Sequence, residues 1–328
     1  MLQLMNAQDV AADQSAWHKA RLSGIGGSEI GTIMQLEGHH GSPYRLWLQK
    51  TGRWAEPPSD DRRLEFGNYC ENFIAWCLAQ DRPDLHLTPG GLYRHDERAW
   101  QIATFDRLAH DTVRCHGGDG CALVVPSYTV QMKTDAGWRD WERDGMPESY
   151  LAQCIWEASL AGTDVALLPV FDRVAADVTR MMRITMDDEA NRYLEALLEG
   201  AEVFWELVTS DTPPPMDGSP ATTEALRQMY PGVDRDRSVR LPTRLAARWR
   251  RASKGAKAGE ERRRKYLNTA MVRAAGDDGV LAGIWTVRDP GGGEDIKVAS
   301  VSAGPRAGYT TKPKDSVVTV HPSRSWQP

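Results

Sequence analysis

The 328-residue sequence predicts an α/β protein. Between Met1 and Asp211, segments with apolar residues at helical spacing alternate with short β-rich runs. The composition, 26% charged and 41% hydrophobic, is that of an ordinary globular domain, which excludes collagen, a coiled-coil rod and wholesale disorder. No run approaches the roughly 18 unbroken apolar residues that a membrane span needs, so no membrane role is expected.

Trp17–Gln35 begins as a loop and becomes a helix. Gly24, Gly26 and Gly27 precede Ser28, a candidate N-cap with Glu29 in the first turn. Leu64–Gln80 reads as a second helix. Gly91–Arg94 and Trp100–Phe105 read as strands separated by the polar turn His95-Asp96-Glu97-Arg98. Ala122–Lys133 is a strand, Pro147–Ala161 a helix opened by proline, Asp164–Phe171 a strand and Met186–Thr209 a long helix. Three consecutive prolines in Thr212–Pro220 cannot continue a helix. The expected division is therefore a domain over 1–211, a linker over 212–239 and an extension over 240–328. In that extension Leu241–Ala275 has a helical pattern, and Ile284–Val287 with Ile296–Val301 form a hairpin around Asp289-Pro-Gly-Gly-Gly293. Val317–His321 is strand-like, and no internal repeat is present.

Met1–Lys19 carries Asp9 and Asp13 and lacks a basic n-region before an apolar run, so it does not read as a signal peptide. A cytoplasmic protein is expected. The five cysteines are odd in number and contain no CxxC, which argues against a disulfide framework. Cys115, His116 and Cys121 lack a fourth ligand for zinc. His39-His40, between glycines, reads as a solvated pair. Gly24-Ile-Gly-Gly27 follows no strand and precedes no Lys-Ser/Thr, so it is not a P-loop.

Net charge is −5, but Arg240–Arg273 carries twelve Lys/Arg against Glu260 and Glu261, a local +10 that leaves −15 elsewhere. Such a basic arm, with its cluster Arg262-Arg-Arg-Lys265, suits a phosphate backbone or serves as a solvated helix face. Trp138 and Trp141 suit base stacking or half-buried packing.

The chemistry concentrates at Thr104-Phe-Asp106 and Val130-Gln-Met-Lys133. Residues two apart on a strand share a face, so Gln131 and Lys133 point together and Val130 and Met132 oppositely. A lysine flanked by apolar neighbours needs a partner, and Asp106 at an adjacent strand end supplies one. A carboxylate, a strand oxygen and a lysine suit a divalent-cation site for phosphodiester hydrolysis; a surface lysine on an ordinary strand is the plainer alternative.

Six pieces in order then carry a resemblance: Ala16-Trp-His-Lys-Ala-Arg21, Gly24-Ile-Gly-Gly-Ser-Glu29, Phe66-Gly-Asn-Tyr-Cys-Glu71, Phe105-Asp-Arg-Leu108, Gln131-Met-Lys133 and Tyr150-Leu-Ala-Gln153. Across about residues 14–172 the chain resembles the lambda exonuclease family, also called YqaJ-like viral recombinases, in the PD-(D/E)XK nuclease superfamily. The resemblance implies a restriction-endonuclease-like α/β (α+β) core, a central mixed sheet flanked by helices, with 240–328 as a helical and hairpin extension. It implies Mg²⁺ or Mn²⁺ as cofactor, held by Asp106 and Glu71 with Gln131 as a neutral third ligand, and Lys133 as the catalytic lysine. Arg21 and Ser28 match residues that hold the 5′-phosphate, while Tyr150 and Gln153 match the helix that lines the active site; Glu157 falls on the same face. The implied activity is 5′ to 3′ resection of linear double-stranded DNA ends, with a single-strand annealing protein as partner and a ring trimer as assembly. Two departures stand out. Gln131 occupies the place of the family's usual Glu, and Thr134 follows Lys133. The loss of one carboxylate keeps open a DNA-end-binding accessory protein without catalysis, and an endonuclease of the same superfamily is the other alternative.

Overall fold

The computed structural model describes residues 1–57, 62–111, 126–135, 141, 145–174, 177–253, 260–277, 279–288, 293–305 and 316–322. Cys115, His116, Cys121, Ala122–Val125, Trp138 and the turn at Asp289–Gly292 lie outside them. The chain divides into two compact units, Met1–His40 with Leu46–Pro213, and Gly41–Arg45 with Pro214–Pro328.

The first unit follows the expected alternation. Its elements are β1 (Leu2–Met5), α1 (Ala7–Ala12), α2 (Gln14–Arg21), α3 (Gly27–Met34), the C-terminal part of α4 (Pro43–Lys50), α5 (Arg62–Asp81), β2 (Leu85–Pro89), β3 (Leu92–Arg94), β4 (Ile102–Thr104), β5 (Arg107–Asp111), β6 (Tyr128–Val130), β7 (Lys133–Asp135), α6 (Glu148–Ala161), β8 (Val165–Asp172), β9 (Asp177–Thr185) and α7 (Asp188–Thr209). Strands β1, β3 and β4 form a small antiparallel sheet. The larger sheet is mixed: β2, β5 and β6 pair antiparallel, β6 and β7 run parallel to β8, and β9 closes antiparallel on β8.

Alternation along the strands builds a core on each face of this sheet. From β5, Ala109 joins Val130, Met132 and Leu167 under Cys70, Ile74 and Leu78, which recur every fourth residue on α5. The adjacent Leu108 points the other way, with Phe105, to Leu160 and Ala161 of α6. The mixed sheet flanked by helices is therefore as expected.

Strands β1, β2, β5 and β9 of this unit escaped the sequence reading. In β5 the run Arg107-Leu-Ala-His-Asp111 has charged ends and a buried histidine, which masks its period. The expected strand ending at Lys133 is broken into β6 and β7, yet its register holds: Thr129 faces Ala166 and Lys133 faces Val170, four residues on along each chain.

In the second unit, α8 (Pro220–Met229), β10 (Gly232–Arg240), α9 (Thr243–Ser253), α10 (Glu260–Ala274), β11 (Val280–Val287), β12 (Ile296–Pro305) and β13 (Ser316–Pro322) make a four-stranded sheet with its helices. Residues 212–239, expected as a linker, thus hold a helix and a strand. Ser219 caps α8 by accepting from the Thr222 N–H, with Pro220 at the first helical turn. The charged β10 is an edge strand, paired only to β11, so its alternation is largely solvated. Buried Trp249 and Trp285 pack with ring centroids 5.9 Å apart. Part of the basic arm is engaged locally, since Arg263 and Arg264 both pair with Glu260. Among the described residues no helix is long and apolar enough to cross a membrane.

Candidate active site

Asp106 sits in the turn between β4 and β5. Pairing of β5 with β6 ends at Arg107 and Val130, so the next backbone N–H on that edge has lost its strand partner. The Asp106 carboxylate replaces it. Its Oδ2 accepts from the Met132 N–H and from Gln131 Nε2, both at 2.7 Å. This substitution of a side chain for a ladder bond interrupts the strand between β6 and β7. Gly90 passes the same turn so closely that any Cβ there would strike the Phe105 carbonyl. The predicted facing holds: Val130 and Met132 enter the core, while Gln131 and Lys133 line a cleft of about 920 Å³.

Two helices wall that cleft. On α6, Ser149, Gln153 and Glu157 form one row at helical spacing. Against it lies α3, whose Gly27 and Gly31 leave room: a Cβ on Gly27 would stand 2.9 Å from Glu157 Oε1, and one on Gly31 2.9 Å from Ser149 Cβ. Gly27, expected ahead of the helix, thus joins Gly31 in a groove for close helix approach. The helix is capped at Gly26, two residues before the expected cap Ser28, with Glu29 reaching back to accept the Gly26 N–H at 2.8 Å. Ser28 is exposed in the first turn, where backbone N–H groups lack intrahelical partners.

From the sheet, Lys133 Nζ donates to Gln153 Oε1 at 3.2 Å and lies 5.0 Å from the Tyr150 ring centroid. Gln153 Nε2 donates in turn to Glu157 Oε1 at 2.8 Å. Glu71 enters from α5, and Arg107 Nη2 donates to Asn72 Oδ1 beside it at 2.7 Å. At the other end Arg21 Nη2 donates to Glu29 Oε1 at 2.8 Å and to Ser28 Oγ at 3.3 Å. All eight residues singled out from the sequence, Arg21, Ser28, Glu71, Asp106, Gln131, Lys133, Tyr150 and Gln153, line this one cleft.

The carboxyl groups here are buried together. Burial raises the Asp106 carboxyl, although Lys133, the Met132 N–H and Arg107 oppose the rise. Burial and then Asp106 push Glu71 up to about 7 and Glu157 up to about 8. Two buried oxygens, Gln131 Oε1 and Glu157 Oε2, have no hydrogen-bond partner among the described residues. Orphaned acceptors among carboxylates that resist ionisation fit a hard divalent cation, which takes oxygen ligands and neutralises charge. Gln131 offers that oxygen without charge, its amide nitrogen being spent on Asp106. Among the described residues no group of three or more His, Cys, Asp or Glu is arranged to hold a metal.

Sequence reasoning gave no role to Glu157, Glu29, Lys50 or Arg107. Glu157 was findable, seven residues from Tyr150 on one helix face. Lys50 was not, since its partner Glu29 is brought to it only by the fold, 2.8 Å from its Nζ.

Residues 16–164 match the YqaJ-like viral recombinase domain. The resemblance expected from the sequence is borne out, and the matched span contains every cleft residue discussed above from Arg21 to Glu157. Over 238 residues the chain is 23% identical to the uncharacterized protein YqaJ of Bacillus subtilis, covering 72% of this chain and 69% of that protein. Among solved structures, the alkaline exonuclease LHK-Exo of Laribacter hongkongensis aligns over 60% of this chain and 93% of its own, with TM-score 0.46 and 18% identity. A phage-related exonuclease from Haemophilus somnus 129PT aligns over 57% of this chain and 96% of its own, with TM-score 0.36 and 11% identity.

Proposed function

We propose that the protein is a metal-dependent deoxyribonuclease that resects linear duplex DNA from its 5′ ends. The observation that carries this reading is the cleft itself. Asp106 is clamped by Gln131 and Met132, with Glu71 and Lys133 beside it and Arg21 and Ser28 at one end. Asp106, Glu71 and the Gln131 oxygen would hold Mg²⁺ or Mn²⁺. Such an ion supplies charge neutralisation at the phosphate and lowers the pKa of water.

The chain's own groups do the rest. Lys133, braced by Gln153 and the Tyr150 ring, offers its remaining N–H donors to the attacking water or to the phosphate oxygens as charge develops. Ser28, in the first turn of α3, and Arg21, at the end of α2, hold the terminal 5′-phosphate. Water adds to phosphorus while the bond to the 3′-oxygen breaks and that oxygen takes up a proton. The released unit is a 5′-mononucleotide, and the shortened strand carries a fresh 5′-phosphate for the same receptor. Resection of this kind leaves 3′ overhangs for a single-strand annealing partner in phage-type recombination. A ring-shaped trimer around the duplex would keep the enzyme on its substrate.

The test is incubation with 5′-phosphorylated linear duplex and with a covalently closed circle, in Mg²⁺ or Mn²⁺. Nucleotides are expected from the linear substrate alone, with Asp106→Ala and Lys133→Ala each reducing release by ~100-fold or more. Cleavage of the circle would make the protein an endonuclease instead. A wild type that shifts linear DNA on a gel and releases nothing would mean that Gln131 has cost the site its chemistry, leaving a DNA-end-binding protein.

A further inference from the structure

We infer that Glu29 and Lys50 are positioning residues that hold the Arg21 guanidinium as a net-cationic receptor for the terminal 5′-phosphate; this rests on reading Arg21 and Ser28 as the phosphate site. Arg21 ends α2, one turn after Trp17. The Trp17 ring, fixed by its Nε1 donating to Thr104 Oγ1 at 3.0 Å, lies 4.9 Å from the guanidinium carbon. Glu29 Oε1 accepts from Arg21 Nη2, while its Oε2 takes both the Gly26 N–H and Lys50 Nζ at 2.8 Å. Lys50 Nζ also donates to the Arg21 carbonyl at 2.7 Å. Backbone and side chain of Arg21 are thus gripped by the same two residues. Among the described residues no partner takes Arg21 Nη1 or Nε, which leaves donors for an incoming anion.

Charge explains why a third group is needed. Arg21 and Glu29 alone cancel, and a phosphate approaching that pair meets a carboxylate as well as a cation. Lys50 returns the triad to +1. It does so from a position only 7% exposed, too buried to bind DNA itself. Burying an ammonium is costly unless it is paired, and an Arg–Glu pair without it would already be complete as a structural contact.

The experiment uses the full chain in EDTA, so that binding is read without cleavage. Dissociation constants are measured for one blunt duplex bearing either 5′-phosphate or 5′-hydroxyl, with wild type, Lys50→Met and Glu29→Gln, and circular dichroism checks folding. The readout is the ratio of the two constants, which a general loss of folded protein does not move. Wild type is expected to prefer the phosphorylated end by about tenfold or more, as for a charge-assisted bidentate contact. Lys50→Met, which leaves the triad neutral, should bring the ratio close to unity, while Glu29→Gln, which loosens the grip on Arg21 but raises the triad to +2, should lower the ratio only in part. A strong wild-type preference retained in folded Lys50→Met, or a ratio in Glu29→Gln at or above the wild-type value, overturns the roles of Glu29 and Lys50 and leaves Arg21 as the receptor. A wild-type ratio near unity overturns the phosphate reading itself.

Discussion

Replacing Glu157 with Gln should stabilise the metal-free protein at alkaline pH and do little at acid pH. Glu157 is 1% exposed, its Oε2 has no partner among the described residues, and burial followed by Asp106 raises it to about 8. In the unfolded chain the same carboxyl ionises near its ordinary value of 4.5. The folded state therefore binds more protons than the unfolded state between these values, and stability falls as pH rises through that window. The contribution is fully present below the lower value and is lost as pH passes the upper one. A rise from 4.5 to about 8, at about 1.4 kcal/mol per pH unit, sets a ceiling of about 5 kcal/mol. The amide introduced by Glu157→Gln cannot titrate and keeps an oxygen for Gln153 Nε2, so the variant escapes this loss. Thermal unfolding in EDTA at about pH 6 and about pH 9 reads the difference, at roughly 2–4 °C per kcal/mol for a unit of this size. Between those two pH values the penalty grows by about 2.6 kcal/mol, so the variant's melting temperature should exceed that of wild type by about 5–10 °C more at the higher pH than at the lower. Glu71 rises in the same direction but is common to both proteins and cancels. A gap between the two proteins that stays constant with pH would refute the reasoning.

Two further substitutions probe neighbouring features. Gln131→Glu removes the donor to Asp106 and sets two carboxylates against each other, so the metal-free protein should lose about 1–3 kcal/mol, while titration calorimetry should find Mg²⁺ bound about tenfold more tightly. Unchanged or weaker affinity would mean that this side chain does not face the ion. Gly27→Ala forces a methyl to within 2.9 Å of Glu157 Oε1 and 3.2 Å of Gln153 Cγ, and should cost about 1–3 kcal/mol in denaturant unfolding. Unfolding at the wild-type midpoint would show that α3 and α6 have slack between them.

Much of the candidate site was legible because its spacing is local. The facing of Gln131 and Lys133 follows from strand alternation, and Tyr150, Gln153 and Glu157 share a helix face by the same kind of rule. The helix cap was misplaced by two residues, since Ser28 has the right chemistry but Glu29 satisfies the Gly26 N–H instead. Gly27 was read as preceding the helix because close packing of one helix on another leaves no local signature. The strand β5 was missed for a related reason, as Arg107 is paired with Asn72 and His110 is buried by neighbours distant in sequence.

From its sequence alone the chain determined its class, an alternation of helices and strands, and the identity of the groups able to do chemistry. Those properties depend on residue type and on periods of two or about 3.6 residues. Only the tertiary structure decided that Asp106 would replace a missing ladder bond at Met132, and that Glu157 would be buried beneath α3 with an oxygen unpartnered among the described residues. It alone brought Lys50 to the back of Arg21 through Glu29. The physical reason is range. Burial, electrostatic pairing and the cost of an orphaned donor act between atoms a few ångströms apart, and the fold chooses those neighbours from anywhere along the chain.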